Sequence, residues 1–175
     1  STPWAAKRRF FPATTSADPD MTVQLHLSRS PGLARSGIPL RASFQTWVEK
    51  ALHAAGHRRD AELSIRIVDA REGRALNRNY RQRDYATNVL SFPAELPKGV
   101  KLPLLGDLVI CAPVIAREAR EQGKLLRNHF AHMTIHGTLH LIGFDHLNER
   151  DAKQMEALET RVLAGFGIVD PWQTR

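Results

Sequence analysis

Cysteine is almost absent from this chain. Of 175 residues only Cys111 is a cysteine. No disulfide can form within the chain, and no structural zinc site built from several thiolates is available. That scarcity suits a reducing compartment, so the expected location is cytoplasmic. Cys111 lies in the apolar run "DLVICAP" and reads as a small core residue, not a nucleophile. Long apolar runs are lacking too. Nothing approaches the roughly 18 residues a membrane span needs; the longest stretches are short, such as Leu108 to Ala112, and no membrane partner is expected. Negative charge is also in deficit. The 18 acidic residues face 25 basic ones, a net charge of +7, with a pI near 10.2. Such a surplus favours polyanions, nucleic acid above all. What remains is an ordinary globular balance, 42% hydrophobic and 25% charged, enough for one domain with a real core.

Residues 1–20, "STPWAAKRRFFPATTSADPD", lack periodicity. Their basic cluster has no apolar stretch of about 7–15 residues behind it, so they make a poor secretory signal. They faintly resemble a transit peptide, but a plainer reading is an upstream extension of a protein that starts at Met21. They are expected to be disordered, and residues 21–175 to form a single domain. From Met21 the patterns become regular. Val23, Leu25 and Leu27 alternate as a half-buried strand does, and Leu63, Ile65 and Ile67 repeat the signal. "NVLSFP" and "LLGDLVICA" read as two more strands. Helical spacing links Leu40, Phe44, Trp47, Val48, Ala51, Leu52 and Ala55, and Gly56 ends that run. Asp69 can cap a helix from Ala70 to about Tyr80. Pro113 suits the first turn of another, which stops at Gly123. A long helix from about Leu126 to Ile142 is apolar on most faces and so is expected to be central and buried. Asn148 can cap a last helix bearing Ala152, Met155, Leu158, Val162 and Phe166. The fold class is α+β, a four-stranded mixed sheet packed by about five helices.

The chemistry is concentrated in "HGTLHLIGFDH". His136 and His140 are four apart on the central helix and face the same way, within reach of one metal ion. Gly143 breaks the helix and lets His146 turn back to the same point. Three neutral imidazoles with an open fourth position form the layout of a catalytic zinc site, and imidazole donors favour zinc. The spacing is that of the metzincin proteases. Their general base, a glutamate after the first histidine, is missing: Gly137 stands there. Gly137 is expected to leave space beside the metal. The nearest carboxylate is Asp145, which can orient a histidine or accept a proton. His132 and His129 continue the stripe roughly; His132 can support a ligand or meet substrate, but the helix surface is its expected place.

That motif, with "LNRNYRQRDYATNVLSFP" (Leu76 to Pro93) and "LLGDLVIC" (Leu104 to Cys111), resembles the YbeY family of bacterial endoribonucleases, also described as rRNA maturation factors. The resemblance runs from about Leu63 to Asp170. It implies a zincin-like α+β fold and one Zn2+ held by His136, His140 and His146. It implies cleavage of single-stranded RNA, maturation of the small-subunit rRNA at its 3′ end, a part in ribosome quality control, and the small ribosomal subunit with its proteins as partners. The family's arginine falls on Arg81.

RNA cleavage builds negative charge on phosphate oxygens, where a placed cation stabilises most. Arg71, Arg74, Arg78 and Arg81 form one stripe of the second helix, and Arg83 follows in the loop. Arg81, at the helix end, is the expected catalytic clamp, since its fork can hold a phosphate bidentately. Arg78 and Arg83 are expected to bind substrate electrostatically. Thr87, Asn88 and Ser91 can hydrogen-bond RNA or stabilise the turn and strand. Gly106 would allow close backbone approach at the cleft. Two other readings are a zinc protease, which the missing glutamate disfavours, and a non-catalytic assembly factor with a structural metal.

Overall fold

The computed structural model describes residues 21–169, so the expectation of a disordered extension at residues 1–20 lies outside the described residues. Nine elements follow the expected order. They are β1 (Val23–Arg29), α1 (Arg41–Ala54), β2 (Ala61–Val68), α2 (Ala70–Arg81), β3 (Val89–Pro93), β4 (Leu104–Cys111), α3 (Ala112–Glu121), α4 (Leu126–Leu141) and α5 (Glu149–Gly165). The helix starts are set by short polar side chains where the sequence supplies them. Asp69 accepts a hydrogen bond from the Glu72 amide at 2.8 Å, and Asn148 accepts one from the Asp151 amide at 2.9 Å.

The strands form one sheet in the order β1-β2-β4-β3. The first three run parallel and β3 returns antiparallel along β4 as the edge. This is the α+β, zincin-like architecture, with a mixed sheet and five helices. Period-two alternation decides what each face meets. Leu63, Ile65 and Ile67 of β2, with Leu108 and Ile110 of β4, join the large core formed with α1, α4 and α5. Val68, Val109 and Cys111 face the other way, with Leu76 of α2, Leu90 of β3 and Val114 of α3. Cys111 is buried there, and its sulfur fits because Gly73 has no side chain: a Cβ at that position would lie 3.1 Å from Sγ. Burial pushes its thiol pKa up, as befits a core residue.

Helix α4 is the centre of the large core. Its residues from His129 to Leu141 are buried with two exceptions, His136 and His140, which are half-buried. Gly106 shapes the sheet edge beside it. Its φ of +139° is open to glycine, and an added Cβ would sit 2.1 Å from the Phe92 carbonyl oxygen. The close approach allowed by Gly106 is therefore to its own neighbouring strand, where Pro93 pairs with it and the Ala94 amide donates to Leu105 at 2.9 Å. A bulge in the β2–β4 register falls at the same level. Gly106→Ala should cost more than about 2 kcal/mol by urea unfolding, because backbone strain and overpacking act together; an unchanged midpoint would contradict this account of the edge.

Candidate metal centre

His136 and His140 project from one side of α4, one turn apart. Gly143, at φ +102°, ends the helix and redirects the chain to His146. The three rings converge: one nitrogen from each lies within 4.8 Å of the others. His136 and His146 are nearly parallel, with centroids 5.2 Å apart, and His140 stands edge-on to both, at 4.6 and 4.7 Å.

The donor set tests whether a metal fits. His136 Nδ1 faces the Glu159 carboxylate and so carries the proton. In a neutral ring its Nε2 then presents a lone pair, and that Nε2 lies 3.1 Å from His140 Nε2. Two tetrahedral ligands of a zinc ion are separated by about 3.3 Å, given Zn–N bonds of about 2.0–2.1 Å. The pair is spaced to share a cation. Burial, then the neighbouring His136 and His146, holds the His140 pKa below the usual histidine value. It therefore stays neutral and able to ligate at lower pH than a free imidazole.

Glu159 is the residue that sequence reading missed. It lies on α5 with 0% exposure, and its second oxygen is 3.2 Å from His132 Nε2. A signal was present, since Glu159 falls among Met155, Leu158, Val162 on the apolar stripe of its helix, where a carboxylate is out of place. Burial opposes its ionisation, but the hydrogen bonds from His132 and His136 outweigh that and bring its pKa to about 2. The expectation that His132 lies on the helix surface is corrected: it is 4% exposed, and His129 beside it is 2% exposed. Each meets a carboxylate from a neighbouring helix, and His129 Nε2 is 2.8 Å from Glu118. Neighbouring elements bury nearly all sides of α4 from His129 onward, so the stripe runs through the core.

Gly137 also needs correction. Its missing side chain does not leave space beside the metal ligands. An added Cβ would lie 2.9 Å from Leu108 Cδ2 and 3.2 Å from Val89 Cγ2, so that side of α4 lies against the sheet. No carboxylate fits there without displacing the sheet core.

The remaining residues fall around β3. The Arg81 guanidinium donates to the Ser91 carbonyl at 2.8 Å and to the Tyr80 carbonyl at 3.3 Å, and lies 5.0 Å over the Phe92 ring. Ser91 in turn donates its hydroxyl to the Gly137 carbonyl at 3.3 Å. One short chain of bonds thus ties Arg81 to the helix turn that carries His136. Asn88 donates to Glu118 at 3.0 Å and accepts from the Val89 amide at 2.7 Å, so its side chain holds the start of β3 to α3. Arg83 donates to the Tyr85 hydroxyl at 3.2 Å in the exposed loop. Arg78, with Arg71 and Arg74, lines a shallow depression on α2, floored by Ala70 and Ala75; Arg74 is held by Asp84 at 2.8 Å. Asp145 is exposed, accepts from the His146 amide at 2.7 Å, and acts electrostatically on His140.

The chain is similar to known proteins over most of its length. A family model described as endoribonuclease YbeY matches residues 35–167. The endoribonuclease YbeY of Stenotrophomonas maltophilia is 59% identical over 154 residues, covering 86% of this chain and 94% of that protein. The protein of the same name from Xanthomonas euvesicatoria is 58% identical with the same coverage. The solution structure of TM1509 from Thermotoga maritima aligns with a TM-score of 0.54 at 21% identity, over 87% of this chain and 99% of that one, a likeness of fold.

The buried ionisable groups give the metal-free protein a definite pH response. Burial lowers the pKa of His129 below the ordinary histidine value of about 6.5, despite Glu118. The unfolded chain then binds the proton first, so stability is complete above about pH 6.5 and falls as pH drops through that value. The lowered Glu159 pKa adds a second loss between about 4.5 and about 2. Urea midpoints of metal-free protein should decrease from pH 7.5 to 5.5 and further at pH 4, whereas a flat or rising series would contradict these environments.

Proposed function

The chain belongs to the endoribonuclease YbeY family, and on that premise we propose that it is a zinc-dependent endoribonuclease that cleaves single-stranded RNA. Its substrate in this reading is the 3′ end of 16S rRNA, and it also serves ribosome quality control, in the cytoplasm and with the small ribosomal subunit and its proteins as partners. No helix among the described residues is long and apolar enough to cross a membrane. The observation that carries the reading is the convergence of His136, His140 and His146 together with the bonded path from Arg81 through Ser91 to Gly137.

His136, His140 and His146 would hold a single Zn2+, and a zinc ion so bound supplies Lewis acidity and an activated water near neutral pH. The chain's own residues supply the rest. Arg81 uses two of its five N–H donors on the Ser91 and Tyr80 carbonyls, which leaves three among the described residues for phosphate oxygens. Its contact with Phe92 and those two bonds hold the fork still, so little ordering entropy is lost when a phosphate binds. Arg78 and Arg83 are assigned to electrostatic contact with the RNA. Asn88 and Ser91 are assigned to RNA binding, and their bonds to Glu118 and Gly137 hold β3 in place. Asp145, beside His146, is the group assigned to accept a proton.

The protease reading has little support. A glutamate at position 137 would meet Leu108 and Val89, and the net charge of +7 suits a polyanion better than a general peptide. A non-catalytic assembly factor would need the metal only as a brace, yet three imidazoles from a helix and its following turn leave a coordination position open.

Purified protein should contain close to one zinc per chain and should cleave single-stranded RNA over duplex RNA and casein. Arg81→Ala should retain zinc and lose about 100- to 1,000-fold in cleavage rate, the cost of removing one transition-state donor. His136→Ala should lose both zinc and cleavage. Zinc binding with RNA cleavage no greater than in His136→Ala protein would sink the enzyme reading, and cleavage of casein alone would favour the protease. Separately, Arg78→Gln and Arg83→Gln should each lower the salt slope of RNA binding by about 0.7, the value for one phosphate contact on a single strand. An unchanged slope would remove that residue from the binding surface.

A further inference from the structure

Glu159 is a carboxylate sealed inside a basic protein, and sealing a charge is costly unless both oxygens are satisfied. They are. One oxygen accepts from His136 Nδ1 and the other lies 3.2 Å from His132 Nε2. His132 and His136 are successive turns of α4, but only His136 belongs to the group whose nitrogens converge. The carboxylate therefore reaches the metal centre through one ring, from the side opposite its ligating nitrogen.

We propose that Glu159 is the positioning residue of the metal centre: it accepts the Nδ1 proton of His136 and so fixes that ring with Nε2 toward His140 and His146, while His132, itself no ligand, fixes Glu159. The proposal rests on the metal centre of the preceding subsection. Histidine ligands commonly donate their second N–H to a carboxylate, which sets tautomer, ring angle and basicity together. A link between α4 and α5 serving stability alone would not need this alignment. The two helices already share one apolar core, to which α5 gives Met155, Val162 and Leu163 and α4 gives Ile135 and Leu139, and a buried ionic link is replaceable by apolar packing at little or no loss of stability. Here both oxygens are spent on histidines, and the first is placed behind a ligand. His132 completes the arrangement: without it the second oxygen would be unsatisfied, and the carboxylate could rotate away from His136.

The test uses the full chain, stripped of metal, with zinc affinity measured by competition against a chromophoric chelator. Glu159→Gln keeps the shape and loses the charge, and should weaken zinc binding about tenfold; Glu159→Ala should approach 100-fold. His132→Gln should produce a smaller loss in the same direction. Melting of the metal-free proteins is recorded in parallel, because a merely structural glutamate would lower that melting temperature and leave zinc affinity unchanged, which would overturn the proposal. An unchanged affinity for His132→Gln would remove His132 from it. If the parent protein itself binds no zinc, the metal centre fails rather than this refinement of it. Should the Glu159 variants not fold, nitrogen-15 spectra of the unaltered metal-free protein still decide: His136 should be protonated at Nδ1 and bare at Nε2, and the opposite tautomer would refute the assignment.

Discussion

Helix α4 is buried on nearly all sides and carries four histidines, and the structure depends on giving each ring a polar partner. A buried imidazole without one costs as much as several apolar contacts gain. His129 is met by Glu118 of α3, and His132 and His136 share Glu159 of α5. His136 and His140 face one another. The hydroxyls of Thr134 and Thr138 turn back to carbonyls of their own helix at 2.7 and 2.8 Å. The helices around α4 are thus joined to it by polar contacts as well as by the apolar core. That arrangement makes the facing nitrogens rigid, and rigidity is what a metal site requires of its ligands.

The same close packing explains where chemistry is absent. Against the sheet, α4 approaches so closely that a side chain at Gly137 would press on Leu108 and Val89. A protease base there would have to displace those two side chains, an obstacle of volume and not of electrostatics. The helix offers ligands, and the cation comes from outside it, from Arg81 at the end of α2. The left-handed Gln82, with φ of 56°, ends that helix and begins the loop to β3. The Ser91 carbonyl then meets the guanidinium and the Ser91 hydroxyl meets α4. β3 is a short edge strand, yet it joins the two functional elements.

Much of the fold was legible because its signals are local. Alternating Leu63, Ile65 and Ile67 state a strand whatever lies around them, and Asp69 and Asn148 state helix starts through side chains that reach only three residues on. The metal ligands were legible for the same reason, since i, i+4 spacing and a helix-ending glycine are properties of one segment. Glu159 was not. It lies 23 residues from His136, and nothing in α5 alone says which helix its buried face will meet. Its presence on an apolar stripe flagged an anomaly without naming the partner. His132 failed differently: a polar residue on a helix is ordinarily at the surface, and only the packing of α5 against α4 reverses that. Gly137 invited a reading in terms of the metal, while its neighbours Leu108 and Val89 come from other strands.

The amino-acid sequence by itself determined the elements, their order, the helix that carries the histidines and the basic stripe ending at Arg81, because periodicity, caps and spacing act within about one or two turns of chain. Tertiary structure alone decided which carboxylate stands behind His136, that the helix is sealed on the face of Gly137, and that Arg81 is tied to the ligand helix through Ser91. Each of these is a meeting of elements distant in sequence, set by how strands and helices pack once their faces are buried.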